Sequence, residues 1–478
     1  MEVDRLSSLP DHLIHRILSF LDTKHVFLLG VLSSRWRDLS TSVPNLHFNY
    51  PADFDDEGYF VRFVDRALLV NSSPNIHKFR LSWFPFNREY VSHVDAWLRF
   101  AMRKGIQELD FSFPCINDSY ALPSWILNCE TLISLTLRNC WIRVSKPVNF
   151  TNLTALHLDY TKLRVGFVED LLKGCPLLEE LAIRSSISVP VKICTSSSLQ
   201  LKRLKIRGAY NLRVNIEAPN LQILKFSSGT LGKFSFKAMP FLKAAEVSIF
   251  YHGDVKKKCI SSLRSSLLNL RYARVLKLCS TCIQAMPIPT FEDLHSCFFK
   301  TKVLVLRTGV QKYELPGIAN LLWSSPDLEN LIIDLGRYDC IYEDKSCMLK
   351  YDFDEREYWE SLTATFPCLV HHLKTIKITG FVGEGSSIKV TSFHEKDEQI
   401  KLVKFLLKNA MVLEKMIIHV CDRPTFVKVE QWPEILLGVA QKLLAFPRAS
   451  SRAEVDSKFH AIVEPSLPKV LNPQCPYT

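Results

Sequence analysis

The chain has 478 residues, a formal net charge of +11 and 47% hydrophobic residues, a composition that excludes a chain disordered throughout. At roughly 100–200 residues per domain, this length allows two to four domains. No apolar stretch reaches the ~20 residues that a spanning helix needs, and the amino terminus lacks the apolar core of a secretory signal. We therefore expect an intracellular protein, in the nucleus, the cytoplasm or both, whose 14 cysteines are reduced.

The first fifty residues carry the pattern of three short helices. Apolar residues at positions 10, 14, 17, 18 and 21 follow the spacing of one amphipathic helix, and Pro10 suits its first turn. Asp22 supplies a cap for a second helix that ends near Gly30, and Ser33 is a candidate N-cap for a third helix that carries Trp36. So short a segment cannot bury all of its apolar side chains, which predicts a partner groove.

Three pieces of this segment resemble the F-box of plant proteins: Leu9-Pro10-Asp11, the Ile17–Leu21 run and the Val31–Leu39 run. Gly30 stands where the family commonly has serine, and Ser34 where it commonly has lysine. The resemblance implies docking onto a Skp-type adaptor and, through it, onto a cullin ubiquitin ligase. The residues expected to contact the adaptor are apolar: Leu9, Pro10, Ile14, Leu18, Leu21, Leu32 and Trp36.

A short pattern, apolar-x-x-apolar-x-apolar, recurs beyond residue 100. Its first six copies start at Ile106, Leu132, Leu153, Leu178, Leu201 and Leu221. This spacing is the period of leucine-rich repeats, in which each strand buries alternate residues and stacks beside the next. Looser copies start at Leu242, Leu328, Leu373 and Leu413, so an irregular solenoid is predicted.

A second recurrence lies on the helical side of the repeats. A Leu-Leu pair is followed seven residues later by Leu-Glu at 171–179, 321–329 and 406–414. Pro176 and Pro326 interrupt two of these segments, because proline cannot continue a helix. Each segment therefore predicts a helix, a break and a strand.

The residues between the buried leucines are expected to face the concave side of the solenoid. Between Lys192 and Lys312 there are 21 Lys and Arg against 5 Asp and Glu, a local charge of +16. We expect the target-binding residues to be Arg203, Lys205, Arg207 and Lys225. For any single one of them an ordinary solvated strand position is the better interpretation. As a set they predict an acidic or phosphorylated target.

The last third of the chain reads strand, helix, strand. It resembles the FBD domain of plant proteins at Gly380-Phe381, Lys404–Ala410 and Leu443–Ser450. The resemblance does not imply what this domain does. The expected organisation is an F-box at 1–50, a connecting segment or first irregular repeat at 51–100, a solenoid at 101–365 with an acidic insert near 334–360, an FBD-like domain at 366–450 and a flexible tail at 451–478. The expected fold class is α/β, a small all-α F-box followed by the solenoid and the FBD-like segment.

No motif assembles into a catalytic, cofactor or metal site. We find no nucleophile elbow, phosphate loop, dinucleotide fingerprint or H-E-x-x-H pattern. Cys279-Ser280-Thr281-Cys282 is a pair at metal or redox spacing, but buried thiols are the better interpretation. Asp352-Phe353-Asp354 and His371-His372 are interpreted as a solvated loop and a structural pair. No catalytic residue, cofactor or metal is predicted.

The sequence therefore predicts a non-catalytic substrate-recognition subunit of an SCF-type (Skp-cullin-F-box) ubiquitin ligase. One alternative is a leucine-rich-repeat binding scaffold that engages no ligase. A nucleic-acid binder, motivated by the +16 segment, ranks third because no recognition helix or aromatic strand platform accompanies the charge. The target, a helper ligand, the role of the FBD-like domain and the oligomeric state stay open.

Overall fold

The structure is a computed structural model. It describes residues 9–113, 120–142, 148–163, 165–185, 191–194, 200–208, 213–229, 234–250, 257–286, 298–335, 357–362, 364–381, 398–420 and 432–458. The described residues form two compact units, which divide between Thr301 and Lys302. No described helix is long and apolar enough to cross a bilayer.

The first unit opens with three short helices, α1 (Asp11–Leu18), α2 (Thr23–Leu29) and α3 (Ser34–Thr41). The Ser33 side chain accepts a hydrogen bond from the Trp36 N–H, as its predicted capping role requires. Five more helices follow: α4 (Glu57–Val70), α5 (Val91–Arg103), α6 (Phe167–Gly174), α7 (Lys257–Leu268) and α8 (Ser280–Gln284). Short 3₁₀ turns lie at Arg88–Tyr90 and Ser124–Asn128.

Fifteen strands are described in the first unit. They are β1 (Asn45–Tyr50), β2 (Lys78–Trp83), β3 (Glu108–Ser112), β4 (Ala121–Leu122), β5 (Ser134–Arg138), β6 (Trp141–Ile142), β7 (Ala155–Asp159), β8 (Glu180–Ser185), β9 (Val191–Cys194), β10 (Arg203–Gly208), β11 (Val214–Glu217), β12 (Ile223–Ser228), β13 (Phe234–Phe236), β14 (Ala244–Ile249) and β15 (Val275–Cys279). Ten of them form the main parallel sheet in the order β1-β2-β3-β5-β7-β8-β10-β12-β14-β15. The others form two small parallel sheets, β13-β11-β9 and β4-β6.

The register of the main sheet aligns the buried leucines into one continuous stack. Leu109, Leu135, Leu156, Leu181, Leu204 and Leu224 are successive Cα partners on neighbouring strands, and all are buried. A stack of identical apolar positions on parallel strands is the core of a leucine-rich-repeat solenoid. The predicted α/β solenoid behind a small helical segment is confirmed.

The sheet begins earlier than the repeat pattern indicated. β1 lies inside the first fifty residues, and β2 lies in the segment assigned as a connection or first irregular repeat. Both are parallel members of the main sheet. Helix α4 covers these strands through an aromatic core, in which the Phe60 and Trp83 rings lie 5.0 Å apart.

The second unit repeats the architecture with five parallel strands: β16 (Val303–Arg307), β17 (Asn330–Asp334), β18 (Thr375–Phe381), β19 (Lys415–Val420) and β20 (Glu454–Lys458). Its helices are α9 (Leu315–Trp323), α10 (Tyr358–Ser361), α11 (Pro367–His371), α12 (Glu398–Asn409) and α13 (Trp432–Ala445), with a 3₁₀ turn at Lys312–Glu314. The strand, helix, strand order expected of the FBD-like segment corresponds to β18, α12 and β19.

Strand β20 lies in the segment for which a flexible tail was expected, and it pairs with β19 along five residues. The expectation is therefore wrong for residues 454–458. The remainder of the tail, from residue 459, and most of the acidic insert lie outside the described residues.

Candidate adaptor-binding and target-binding surfaces

The three amino-terminal helices bury one apolar face against each other and against the start of the sheet. Ile14, Leu18 and Trp36 are 0%, 1% and 3% exposed. The backbone N–H of His47 on β1 donates to Thr23 Oγ1 of α2 at 2.8 Å, and the Phe27 and Phe63 rings lie 6.0 Å apart. Three of the predicted adaptor contacts, Ile14, Leu18 and Trp36, therefore lie in the core of the helical segment and not on its surface.

A second set of apolar side chains on the same segment is exposed, and we call it the apolar F-box surface. Its members are Leu13, Ile17, Phe20, Leu21, Leu28, Val31 and Leu32. Phe20, Val31 and Leu32 are 80%, 78% and 64% exposed, and the seven members lie within 20 residues of one another along the chain. Of the residues predicted from sequence, Leu21, Leu32 and Pro10 are exposed and Leu9 is half-buried.

The members that the prediction missed could have been found from the sequence. Leu13 and Ile17 are four residues apart on α1, and each lies one position before the buried residues Ile14 and Leu18. Helix α1 therefore carries two adjacent apolar stripes. Together they form an apolar face that is wider than contact with one core requires. The second stripe indicates a partner.

Two local contacts hold these helices in place. Arg35 Nη2 lies 2.5 Å from Asp11 Oδ1 and donates to the Leu9 carbonyl oxygen at 2.6 Å, which fixes the start of the segment on α3. At Gly30 the end of α2 approaches α3 closely, since an added Cβ would lie 2.9 Å from Ser40 Oγ and 3.0 Å from the Phe27 carbonyl oxygen. A larger side chain at this position would therefore require a small shift of the Ser40 side chain.

The second candidate surface is the row of outward side chains along the middle of the main sheet. In strand order the row reads His47, Arg80, Asp110, Thr136, His157, Ala182, Lys205, Lys225, Glu246 and Lys277. Adjacent members lie about 4.8 Å apart, because they are register partners on neighbouring strands. The structure places the predicted residues Arg203, Lys205, Arg207 and Lys225 on this exposed side.

Basic residues near the start of the sheet are paired with acids. Arg80 and Arg138 both contact the Asp110 carboxylate, at 3.3 and 2.5 Å. Lys78 lies 2.9 Å from Glu108 in the neighbouring row. Positive charge is therefore largely neutralised over β2, β3 and β5.

Arg203, one of the four predicted target contacts, is also paired. Its Nε donates to Glu180 Oε2 at 2.7 Å, and His157 Nε2 lies 3.1 Å from the other oxygen of the same carboxylate. Partial burial would raise the pKa of Glu180, but the hydrogen bonds from Arg203 and His157 hold it below its usual value. The charge of Arg203 is therefore compensated within the sheet.

The other three predicted residues differ from Arg203. Within the described part of the chain, no acidic oxygen lies within ion-pairing distance of Lys205, Arg207 or Lys225. Lys205 faces Ala182 and Lys225 across the two neighbouring strands, and Arg207 faces Arg184 and Ser227.

Arg184 joins this group, and sequence reasoning missed it. It occupies the same position after the buried pair Leu181 and Ile183 that Arg207 occupies after Leu204 and Ile206. Its guanidinium lies 4.7 Å from the centre of the Tyr160 ring. We call Arg184, Lys205, Arg207 and Lys225 the basic cluster. Like charges on adjacent strands destabilise a sheet, so such a cluster indicates a negatively charged ligand.

One group of possible metal ligands lies beside α2. Ligand atoms of Asp22, His25 and Asp53 lie within 4.8 Å of one another. The Lys24 ammonium donates to the Asp53 carbonyl oxygen, and Asp22 pairs with the His47 ring. Burial lowers the pKa of His47, against the opposing effect of the Asp22 carboxylate. The neighbouring ammonium and the positive end of α2 both disfavour a cation here, so we interpret the group as a polar network.

Three other sequence motifs were considered as chemical sites, and the structure describes the cysteine pair and the histidine pair among them. Cys279 and Cys282 are buried with their Sγ atoms 3.7 Å apart. Within the described ranges, no third potential metal ligand is grouped with them. His371 and His372 are exposed, and Asp352 and Asp354 lie outside the described residues.

Comparison with known proteins adds two family matches. Residues 6–48 match the F-box domain, and residues 68–431 match the At1g61320/AtMIF1 leucine-rich-repeat (LRR) domain. Neither matched description is that of an enzyme.

Several proteins of Arabidopsis thaliana are similar to this chain. F-box/FBD/LRR-repeat protein At2g26030 is 26% identical over 465 residues, which cover 88% of this chain and 93% of the relative. F-box/LRR-repeat protein At3g59200 is 29% identical over 377 residues, 69% of each chain. F-box/LRR-repeat protein At3g26922 is 34% identical over 229 residues, 46% of this chain and 74% of the relative.

Proposed function

Because the chain belongs to a plant F-box and leucine-rich-repeat family, we propose that it is the substrate-recognition subunit of an SCF-type ubiquitin ligase. The F-box binds a Skp-type adaptor, the adaptor binds a cullin, and the repeat sheet holds a target protein. The chain supplies no catalytic group. Its contribution is proximity, which raises the effective concentration of target lysines near an activated ubiquitin. This role places the protein inside the cell, where the ligase acts.

The observation that carries the adaptor half of the proposal is the exposed apolar F-box surface. Seven large apolar side chains at positions 13–32 are exposed to solvent on α1, on α2 and on the turns that follow these two helices. Exposed apolar side chains at this density typically mark a protein interface. An adaptor interface of ordinary size buries about 1,600 Å² and derives most of its affinity from a few central anchors. Phe20, Val31 and Leu32 are the most exposed candidates for those anchors.

The target half of the proposal rests on the basic cluster. Its cations lie on three adjacent strands in fixed register, while the acids of the same sheet are engaged by other basic residues. Carboxylate and phosphate groups match the hydrogen-bonding fork of arginine. An acidic or phosphorylated segment of the target would therefore bind across β8, β10 and β12.

The experiment is copurification of the full chain with a plant Skp-type adaptor and its cullin. Wild type is compared with Leu32→Asp, and Phe241→Asp is the matched control because Phe241 is 63% exposed and lies outside the F-box segment. We expect wild type and the control to retain both partners, and Leu32→Asp to lose both while remaining folded. A wild-type chain that retains neither partner would favour the non-ligase repeat scaffold.

A further inference from the structure

Cys279 and Cys282 form a close pair of thiols that the proposed function does not use. Cys279 is the last residue of β15 and the N-cap of α8, and Cys282 lies in the first turn of that helix. Their Sγ atoms are 3.7 Å apart, and the residues are 4% and 0% exposed. Disulfide sulfurs lie about 2.05 Å apart, so a small side-chain rotation would bring the pair to bonding distance.

The sulfur of Cys279 contacts the backbone of Ile249, whose carbonyl oxygen lies 3.7 Å from it. The Ile249 N–H, at the end of β14, donates to Cys279 Sγ at 3.1 Å. Thr281 Oγ1 donates to the Ile249 carbonyl oxygen at 3.1 Å, which fixes the turn against the same strand. N–H groups that point at a sulfur stabilise its thiolate form, and the thiolate is the reactive form of cysteine.

The pKa of the Cys279 thiol differs from those of two other buried thiols, Cys175 and Cys368. The side-chain hydrogen bond between Cys279 and Cys282 is the largest influence on Cys279 and lowers the pKa of that thiol to about 7, against the opposite effect of burial. Burial raises the pKa of Cys175 and of Cys368 to about 12. A thiol with such a raised pKa is almost entirely protonated at neutral pH and reacts slowly.

We propose that Cys279 and Cys282 are a peroxide-sensitive dithiol that closes to an intramolecular disulfide. The Cys279 thiolate attacks hydrogen peroxide, breaks the O–O bond and becomes a sulfenic acid, and one water molecule leaves after protonation. The Cys282 sulfur then attacks the Cys279 sulfur, the S–S bond forms, and the sulfenic oxygen leaves as a second water molecule. Two thiols lose two electrons in all, and one peroxide gains them.

The proposed modification has a local structural consequence. A disulfide sulfur is a weaker hydrogen-bond acceptor than a thiolate, because it carries no charge. Closing the bond therefore weakens the Ile249 N–H contact and loosens the end of β14 against β15. The small exposure of Cys279 also predicts that hydrogen peroxide reacts faster than a bulky disulfide reagent.

The test treats the full chain with hydrogen peroxide under native conditions and then blocks free thiols. We expect the peptide with Cys279 and Cys282 to lose the mass of two hydrogen atoms, and dithiothreitol to reverse the change. Because of the different thiolate fractions, Cys279 should react at least ~100-fold faster than Cys175. Hydrogen exchange at the Ile249 amide should accelerate in the oxidised protein.

Two cysteine variants test whether Cys282 closes the disulfide with Cys279. Cys282→Ser should stop at a sulfenic acid on Cys279, which dimedone would label, whereas Cys175→Ser should still form the disulfide. Oxidation of Cys279 at the same rate as Cys175 would overturn the proposal. Disulfide formation only under conditions that unfold the chain would overturn it as well.

Discussion

Arg203 Nε lies 2.7 Å from a Glu180 oxygen, whereas Lys205, two residues later on the same strand, faces Ala182 and Lys225. The exposed side of the sheet therefore contains basic residues of two kinds. Some of them pair with acids of the same sheet, and those of the basic cluster are the target contacts that we propose. For Arg203 and Lys205, strand register makes the difference, because it places Glu180 opposite Arg203 and Ala182 opposite Lys205.

Charge reversal in the basic cluster tests the target half of the proposal. We expect Lys205→Glu with Lys225→Glu to weaken binding of a phosphoserine peptide, selected on an array with the wild-type chain, by about 100-fold or more. Lys192→Glu with Lys237→Glu is the matched control, since both residues are exposed and lie outside the main sheet. Fluorescence anisotropy with the labelled peptide gives the Kd values. Equal Kd values for the two double variants would refute this assignment.

The Glu180 ion pairs predict a pH dependence of stability. The folded chain holds the pKa of Glu180 below its unfolded value, so the stabilisation is present above the unfolded pKa, near 4.3, and is lost as the pH falls through the folded pKa. Because these side chains are about one-third exposed or more, we expect Glu180→Gln to cost only about 0.5 to 1 kcal/mol at pH 7. Urea unfolding of both proteins at pH 7 and pH 3 measures the difference, which should be smaller at pH 3 than at pH 7.

Two residues of the F-box pattern, Trp36 and Leu32, differ strongly in how much of each side chain is exposed. Trp36 is 3% exposed and Leu32 is 64% exposed. We expect Trp36→Ala to lower the free energy of unfolding by about 3–5 kcal/mol, and Leu32→Ala to change it by less than ~0.5 kcal/mol. Denaturant titration gives both values. Similar losses in the two variants would show that Leu32 is not on the surface.

Alanine substitutions at two glycines are expected to have opposite effects on the stability of the chain. At Gly174, the last residue of α6, an added Cβ would lie 1.8 Å from the Val148 carbonyl oxygen. Gly438, within α13, has no atom within 4 Å of such a Cβ. We expect Gly174→Ala to destabilise the chain by about 3 kcal/mol or more, and Gly438→Ala to stabilise it by up to about 1 kcal/mol. Thermal unfolding of the two variants tests both signs.

The repeat core could be predicted because leucine spacing encodes the strand stack directly. Leu135, Leu156 and Leu181 recur at the repeat period, and the structure aligns them as register partners. β1 and β2 show the alternation of strands at Leu46, Phe48, Phe79 and Leu81, but they precede the regular period and so gave no repeat signal. Strand β20 follows a Pro- and Ser-containing segment, and only its pairing with β19 identifies it.

The candidate surfaces were harder to predict, because they depend on which residues become neighbours. Periodicity placed Ile14 and Leu18 on one helix face, but the packing of α1 against its neighbours decides that this face is buried. The pairing of Arg203 with Glu180 joins residues 23 positions apart, and it follows only from strand register. Arg184 belongs to the basic cluster for the same reason.

The most direct test of the central claim is the affinity of the full chain for a purified Skp-type adaptor, measured by isothermal titration calorimetry. We expect wild type and Phe241→Asp to bind with the same Kd. Val31→Asp and Leu32→Asp should each weaken binding by about 100-fold, a loss of about 2.7 kcal/mol, without a change in thermal stability. An unchanged Kd in both F-box variants, or no binding by the wild-type chain, would contradict the proposed role of the apolar F-box surface.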